Sequence, residues 1–261
     1  MRPAMVIDLT RCTGCLSCVE ACITENISRI GPNGEMVYPD NVASYARTRP
    51  KILEYESSVR RAFVQCLHCE NAPCVKVCPT GASYVSPEGV VLVDAEKCIK
   101  CRLCIYACPY NVRTFYEGKL EGEPKHEHAL KPRVPDKCTF CYHRKREDGR
   151  LWTPACVEAC PFGARLFGDL DNPADPVAII AKYGIATRPR PDLGTKPKLF
   201  ITPLRGGIEL IEYPVRREDQ LVTYSTWASV KSSIVRPLFE AAAAAAVILG
   251  LIHMARERRR G

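Results

Sequence analysis

The chain lacks the usual signatures of bond-making chemistry. Its 261 residues contain no nucleophile elbow, no Walker loop, no zincin helix and no Rossmann glycine fingerprint. Hydrolytic, phosphoryl-transfer, zinc-protease and dinucleotide-dependent readings therefore have no motif to rest on. Nothing in it binds a substrate recognisably. The opening Met-Arg-Pro-Ala-Met-Val-Ile-Asp has no long apolar run and no twin arginine, which predicts a chain without an export signal of its own. Aromatic residues are only 8% of the chain, so something other than packed rings must fill part of the interior. Cysteine is absent from every region but one.

Within that region it is abundant. Sixteen cysteines fall in four sets of four. The sets are Cys12, Cys15, Cys18, Cys22; Cys66, Cys69, Cys74, Cys78; Cys98, Cys101, Cys104, Cys108; and Cys138, Cys141, Cys156, Cys160. Sixteen thiolates are the complement of four 4Fe–4S clusters, each of which takes four. A tight C-x2-C-x2-C loop brings three sulfurs to one side of a cluster, and the fourth cysteine lies on the following turn, aimed elsewhere. Proline follows that last cysteine in Cys78-Pro79, Cys108-Pro109 and Cys160-Pro161, fixing the exit of the chain, whereas Ile23 follows Cys22. Gly81 and Gly163 then supply turns. Two other readings compete. A disulfide framework belongs to short secreted domains and does not recur as C-x2-C-x2-C. Zinc prefers two C-x2-C pairs at a longer separation, and the fourth set alone passes for such a site. A chain holding four redox centres and little else reads as an electron conductor that does no bond chemistry itself.

The formal charge of +8 counts every cysteine as neutral. Four oxidised cubanes with their thiolates add about −8 and bring the sum close to zero. Lys97, Lys100, Arg102, Arg113, Lys137, Arg144, Lys145 and Arg165 stand beside the motifs and suit that compensating role. Nucleic acid is not an expected partner.

The organisation predicts an α+β chain of tandem bacterial-ferredoxin-like modules. Residues 1–116 carry the first three sets, 117–170 a loop and the fourth, 171–231 an extension, and 232–261 a helix with a basic tail. Val6–Ile7, Ala62–Val64 and Gly89–Asp94 read as strands, with a turn at Gly31–Gly34. Residues 117–135 read as a polar surface loop in which His126 and His128 are exposed rather than metal-bound. Residues 142–155 read as an excursion that wraps a cluster or faces a partner. A short helix is expected near Val177–Tyr183, and Lys198–Thr202 with Ile208–Tyr213 read as a hairpin lying across the cluster domain.

Leu238–Met254 resembles a membrane span, with Pro237 at its start and Arg256, Arg258, Arg259 and Arg260 beyond its end. A soluble alanine-rich helix would want the same charges at its ends. The stretch rises about 25 Å, slightly short of a hydrocarbon core of about 30 Å. The arginines predict a cytoplasmic C-terminus and a cluster domain on the periplasmic face, with the cytoplasmic face as the alternative.

Four strings resemble the four-cluster electron-transfer subunits of membrane-bound molybdopterin oxidoreductases. They are Arg60–Cys74, Cys104–Tyr110, Lys137–Arg144 and Pro154–Arg165. Iron–sulfur subunits linked to nickel–iron hydrogenases are similar. The resemblance implies crossed pairing, with a pseudo-twofold relation between modules. One cluster would take Cys12, Cys15, Cys18 and Cys160, and its neighbour Cys22, Cys138, Cys141 and Cys156. A third would take Cys66, Cys69, Cys74 and Cys108, and the fourth Cys78, Cys98, Cys101 and Cys104. It also implies a catalytic molybdopterin subunit as one partner and, as the other, an integral membrane subunit that binds quinone or haem. The rivals are a hydrogenase-linked subunit, a soluble polyferredoxin-like hub and a reductase acting at an exposed cluster.

Overall fold

The computed structural model describes residues 1–39, 51–55, 58–147 and 152–202. Strand β1 (Pro3–Asp8) is the centre of the longest sheet. Its residues Ala4, Met5, Val6 and Ile7 are all at most 1% exposed, as a continuous apolar run between two neighbours should be. Side chains of a strand alternate between faces, and the two faces of β1 serve two cores. Met5 and Ile7 join the main core with Phe63, Phe140 and Trp152, whereas Ala4 and Val6 pack with Val177 and Phe200.

Helix α1 (Ser17–Asn26) follows the first cysteine loop. The pairs β2 (Arg29–Ile30) and β3 (Met36–Val37) close around the expected turn at Gly31–Gly34. Strands β4 (Lys51–Tyr55) and β5 (Ser58–Ala62) form a hairpin, so the strand expected over Ala62–Val64 ends at Ala62. Phe63 and Val64 are buried beyond it, outside any sheet. After α2 (Pro73–Lys76), strands β6 (Ser83–Val85) and β7 (Val91–Val93) make a second hairpin, the latter within the expected Gly89–Asp94. Helix α3 (Leu103–Tyr106) leads to β8 (Thr114–Phe115), β9 (Glu123–Pro124) and β10 (Pro135–Asp136).

The segment 117–135 departs from a plain surface loop. Strand β9 pairs with β2, and Ala129 and Leu130 are buried against Ile27 and Tyr116. Its polar composition hides this docking, because two apolar residues and backbone bonds suffice to hold it.

Helix α4 (Ala155–Glu158) precedes β11 (Arg165–Asp169), which runs antiparallel to β1, Ile7 facing Arg165. Helix α5 (Pro176–Lys182) covers this sheet. Asp175 caps it, accepting from Val177 N at 2.8 Å, and Pro176 takes the first helical position. Finally β12 (Leu199–Thr202) pairs with β1 in parallel, Met5 facing Leu199. The strand at Lys198–Thr202 is thus present, while its expected partner Ile208–Tyr213 lies outside the described residues. The same holds for the span expected at Leu238–Met254. Among the described residues no helix is long and apolar enough to cross a membrane.

Packing of α1 on α4 and of α2 on α3 determines where the cysteines meet. The first contact joins sets one and four, and the second joins sets two and three.

Candidate metal centres

The four cysteine loops share one backbone device. The residue just before the second cysteine is left-handed in every set: Gly14 (φ 74°), His68 (φ 45°), Lys100 (φ 62°) and Phe140 (φ 53°). This turns the chain sharply enough for the flanking sulfurs to face the same way. Glycine adopts it freely, whereas the other three are held there against a cost of roughly 1 kcal/mol or more each. The loop geometry also aims N–H groups at sulfur. Phe140 N donates to Cys138 Sγ and Ala164 N to Cys160 Sγ, both at 3.3 Å. Ser83 N donates to Cys78 Sγ at 3.3 Å and Lys100 N to Cys98 Sγ at 3.4 Å. Behind the last cysteines, Gly81 and Gly163 make the expected turns with positive φ, and Asn111 (φ 48°) does the same in the third set.

The helix packing gathers sulfurs from paired sets. Cys18 lies among Cys12, Cys156 and Cys160; burial pushes its thiol up to about 11, and Arg165 opposes the rise. Cys12, Cys15, Cys18 and Cys160 line one cavity together with Phe63 and Arg165. The Asn26 side-chain amide stands 3.7 Å from Cys22 Sγ and 3.8 Å from Cys141 Sγ, joining two sets far apart in sequence. On the other side, Cys69 faces Cys66, Cys108 and Cys74, and Cys104 faces Cys74 and Cys78. Burial pushes the Cys108 thiol up to about 12, with Cys74 adding to the rise. Buried thiols forced upward in this way need a counter-charge or a metal to ionise. All sixteen are free of disulfides. Among the described residues no three His, Cys, Asp or Glu side chains close tightly enough on a single metal ion. A cubane of four irons needs a wider cage than one ion does.

Exposure grades the sulfurs. Cys22, Cys66, Cys69, Cys74, Cys104, Cys138, Cys141 and Cys156 are buried, while Cys15 and Cys101 are exposed.

The basic residues beside the motifs divide into two kinds. Lys97 pairs with Asp94 at 3.1 Å, and Arg144 bridges Glu25 at 2.6 Å and Glu158 at 2.7 Å. Arg102 pairs with Glu117 and Lys145 with Glu88, while Lys100 is exposed. By contrast Arg113, Lys137 and Arg165 are at most 4% exposed. Arg165 donates to Phe63 O at 2.8 Å and Gln65 Oε1 at 2.6 Å, and Lys137 donates to Val91 O and to Cys138 O at 2.9 Å. The guanidinium of Arg113 finds no oxygen acceptor and turns to the Cys104 sulfur instead. Burial alone would lower Arg113, yet Cys74, Cys104, Cys66 and Cys108 together hold it above its ordinary value. Burial draws Lys137 below its usual range, against the opposing pull of Cys66 and Cys138. A buried cation without a carboxylate is costly unless another anion faces it. Only sulfur does so for Arg113, and an anionic cluster with four thiolates fits that requirement.

Several residues of these sites carry no motif. His68 is fully buried; Val91 N donates to its Nδ1 at 3.1 Å, which leaves that nitrogen unprotonated. Burial, then the charges of Lys137, Lys198 and Arg113, hold its pKa well below the ordinary range, so the ring is neutral. Lys198 is 1% exposed and donates to Gly89 O; burial draws it down to about 8 beside Cys66 and Cys69. Gln65 and Asn26 are likewise buried. The one signal available in sequence is that Gln65 and His68 stand next to ligand cysteines and Asn26 one helical turn beyond Cys22, whereas Lys198 lies near no cysteine in the chain. The histidines of the loop are corrected in position: both are half-buried. His126 stacks on His143 with centroids 3.4 Å apart, and His128 meets Tyr142 edge-on at 5.5 Å.

Two family patterns match the protein, both described as a 4Fe-4S dicluster domain, over residues 11–83 and 61–170. A polysulfide reductase chain of Wolinella succinogenes is 37% identical over 213 residues, covering 78% of this protein and 96% of that one. A sulfite dehydrogenase subunit of Allochromatium vinosum is 37% identical over 236 residues, covering 83% and 92%. A tetrathionate reductase subunit of Salmonella typhimurium is 37% identical over 215 residues, covering 78% and 77%. With cysteine loops of this geometry and relatives matched over most of their length, the protein belongs to the 4Fe–4S electron-transfer subunits of the molybdopterin oxidoreductases.

Proposed function

We propose that the sixteen cysteines hold four 4Fe–4S clusters in two crossed pairs, grouped as the family resemblance implies, and that the chain relays electrons between a catalytic and a membrane subunit. The observation that carries this reading is the meeting of sulfurs from distant sets, Cys22 with Cys141 and Cys18 with Cys160. When bound, the clusters supply one-electron acceptor and donor sites. The chain's own residues do the rest. Cys15 and Cys101 reach the surface and would mark the two ends of the row, while the groups around Cys22 and Cys66 lie inside and exclude water. Backbone N–H groups donating to sulfur stabilise negative charge on the ligands.

The partners are those that the family resemblance implies. A molybdopterin subunit would receive or supply electrons at one end, and a quinone- or haem-binding membrane subunit would sit at the other. This chain would itself turn over no substrate. The apolar run at Leu238–Met254 with its trailing arginines supports a single membrane anchor. A cluster domain on the periplasmic face would travel out folded with a signal-bearing partner.

Anaerobic coulometric reduction of the purified chain tests the relay. The expected uptake is about four electrons per chain, one for each cubane, without turnover of polysulfide or tetrathionate. Uptake of two or fewer, or turnover by the isolated chain, overturns the proposal.

A further inference from the structure

Burial singles out Arg165, Lys137 and Arg113 from the other basic residues near the motifs, and their positions form a series. Arg165 lines one cavity with Cys12, Cys18 and Cys160 and also lies beside Cys156 and Cys138 of the second group. Lys137 donates to the Cys138 carbonyl of that second group at 2.9 Å and lies beside Cys66 and Cys74 of the third. Arg113 faces Cys74, Cys66 and Cys108 of the third group and Cys104 of the fourth. We infer that each of the three gaps along the row of cysteine groups holds one buried cation, and that its charge raises the reduction potential of both flanking sites. The inference rests on the four-site grouping proposed above.

The effect is electrostatic. One-electron reduction adds a negative charge to a site, and a fixed positive charge in a dry interior favours that state. Surface charges do this weakly, because water and salt screen them. These three are screened little: Arg165 is 4% exposed, and Lys137 and Arg113 are each 2% exposed. Among the described residues they bond to carbonyls, Gln65 and sulfur, the last being Met5 and Cys156 for Arg165 and Cys104 for Arg113, so no carboxylate cancels the charge. The surface lysines and arginines differ on this point, since Lys97, Arg102, Arg144 and Lys145 all pair with Asp or Glu. A cation placed between two sites also weakens the repulsion that one reduced site exerts on its neighbour.

EPR-monitored redox titration of the loaded full-length chain, with iron and sulfide content, tests the series in wild type, Arg165→Gln, Lys137→Gln and Arg113→Gln. Arg113→Gln should lower the potentials of two signals by roughly tenfold in the one-electron equilibrium constant, about 59 mV. Arg165→Gln should lower the other two by a similar shift. Lys137→Gln should move one signal from each pair. The charge-keeping variants Arg113→Lys and Arg165→Lys should retain wild-type potentials. If a Gln variant loses its centres while the Lys variant keeps them, charge is required in that gap and the inference stands. Full iron content with unmoved potentials in the Gln variants overturns it, and so does an equal shift or equal loss in the Lys variants. A wild-type chain short of four signals instead removes the four-site reading beneath it.

Discussion

The imidazole of His68 stacks on the ring of Phe140, with centroids 3.8 Å apart and planes 28° from parallel. The two residues hold the same place in sets two and four, just before the second cysteine, and both are left-handed and fully buried. Their contact therefore joins the module of sets two and three to that of sets one and four. Trp152 fastens the same point, donating from Nε1 to Phe140 O at 2.6 Å. Phe140→Ala should cost about 3–5 kcal/mol, since the ring is removed from a core that cannot collapse around a fixed loop. Denaturant unfolding checks the magnitude, and loss of centres from both modules in one transition checks the coupling.

Crossed ligation makes a prediction that separates it from ligation set by set. Cys160→Ser should alter the same EPR signal as Cys12→Ser, and Cys156→Ser the same signal as Cys22→Ser. Ligation within sets would make Cys156 and Cys160 variants alter one signal in common and leave the other untouched.

Glu25 anchors the edge of this module. It accepts from Arg144 Nε at 2.6 Å and from His143 Nε2 at 2.7 Å, and the Arg144 bonds hold its carboxyl down at about 2. A carboxylate depressed in the folded state stabilises at pH above its unfolded value of about 4.3, and that contribution is lost as pH falls towards 2. Glu25→Gln should thus cost on the order of 1–3 kcal/mol at neutral pH. Unfolding followed by tryptophan fluorescence should show a gap between wild type and variant at about pH 5 and above that narrows below about pH 4.3.

At Gly168 the chain has no room for a side chain. A Cβ there would overlap Asp175 Oδ1, part of the carboxylate that caps α5 and accepts from Asp169 N at 2.9 Å. Gly168→Ala should displace the cap and cost about 1 kcal/mol or somewhat more. Thermal unfolding of Gly168→Ala, Asp175→Ala and the double variant should be non-additive, because the two changes remove one interaction.

How much of this was legible in the sequence depends on the range of the interaction. The cysteine spacing and the prolines behind Cys78, Cys108 and Cys160 are local, and they announce cluster loops outright. Gly14 signals the left-handed position in the first loop. His68, Lys100 and Phe140 give no such signal, because the fold imposes on them a conformation their side chains disfavour. Nothing local distinguishes Arg113, Lys137 and Arg165 from Lys97 or Lys145; only the chain folded around them decides which charge loses its water. The parallel partnership of β1 with Leu199–Thr202 is likewise a contact between the two ends of the described chain, and a pattern of alternation shows a strand without showing its neighbour. In the segment 117–135, charge and proline masked the burial of Ala129 and Leu130.

The relay depends on the cysteines being ligands to four cubanes. Iron and acid-labile sulfide, counted per chain on protein purified without oxygen, test it most directly. About sixteen of each are expected, with no bound zinc. A count of about eight, or zinc in place of iron at the fourth set, would contradict it.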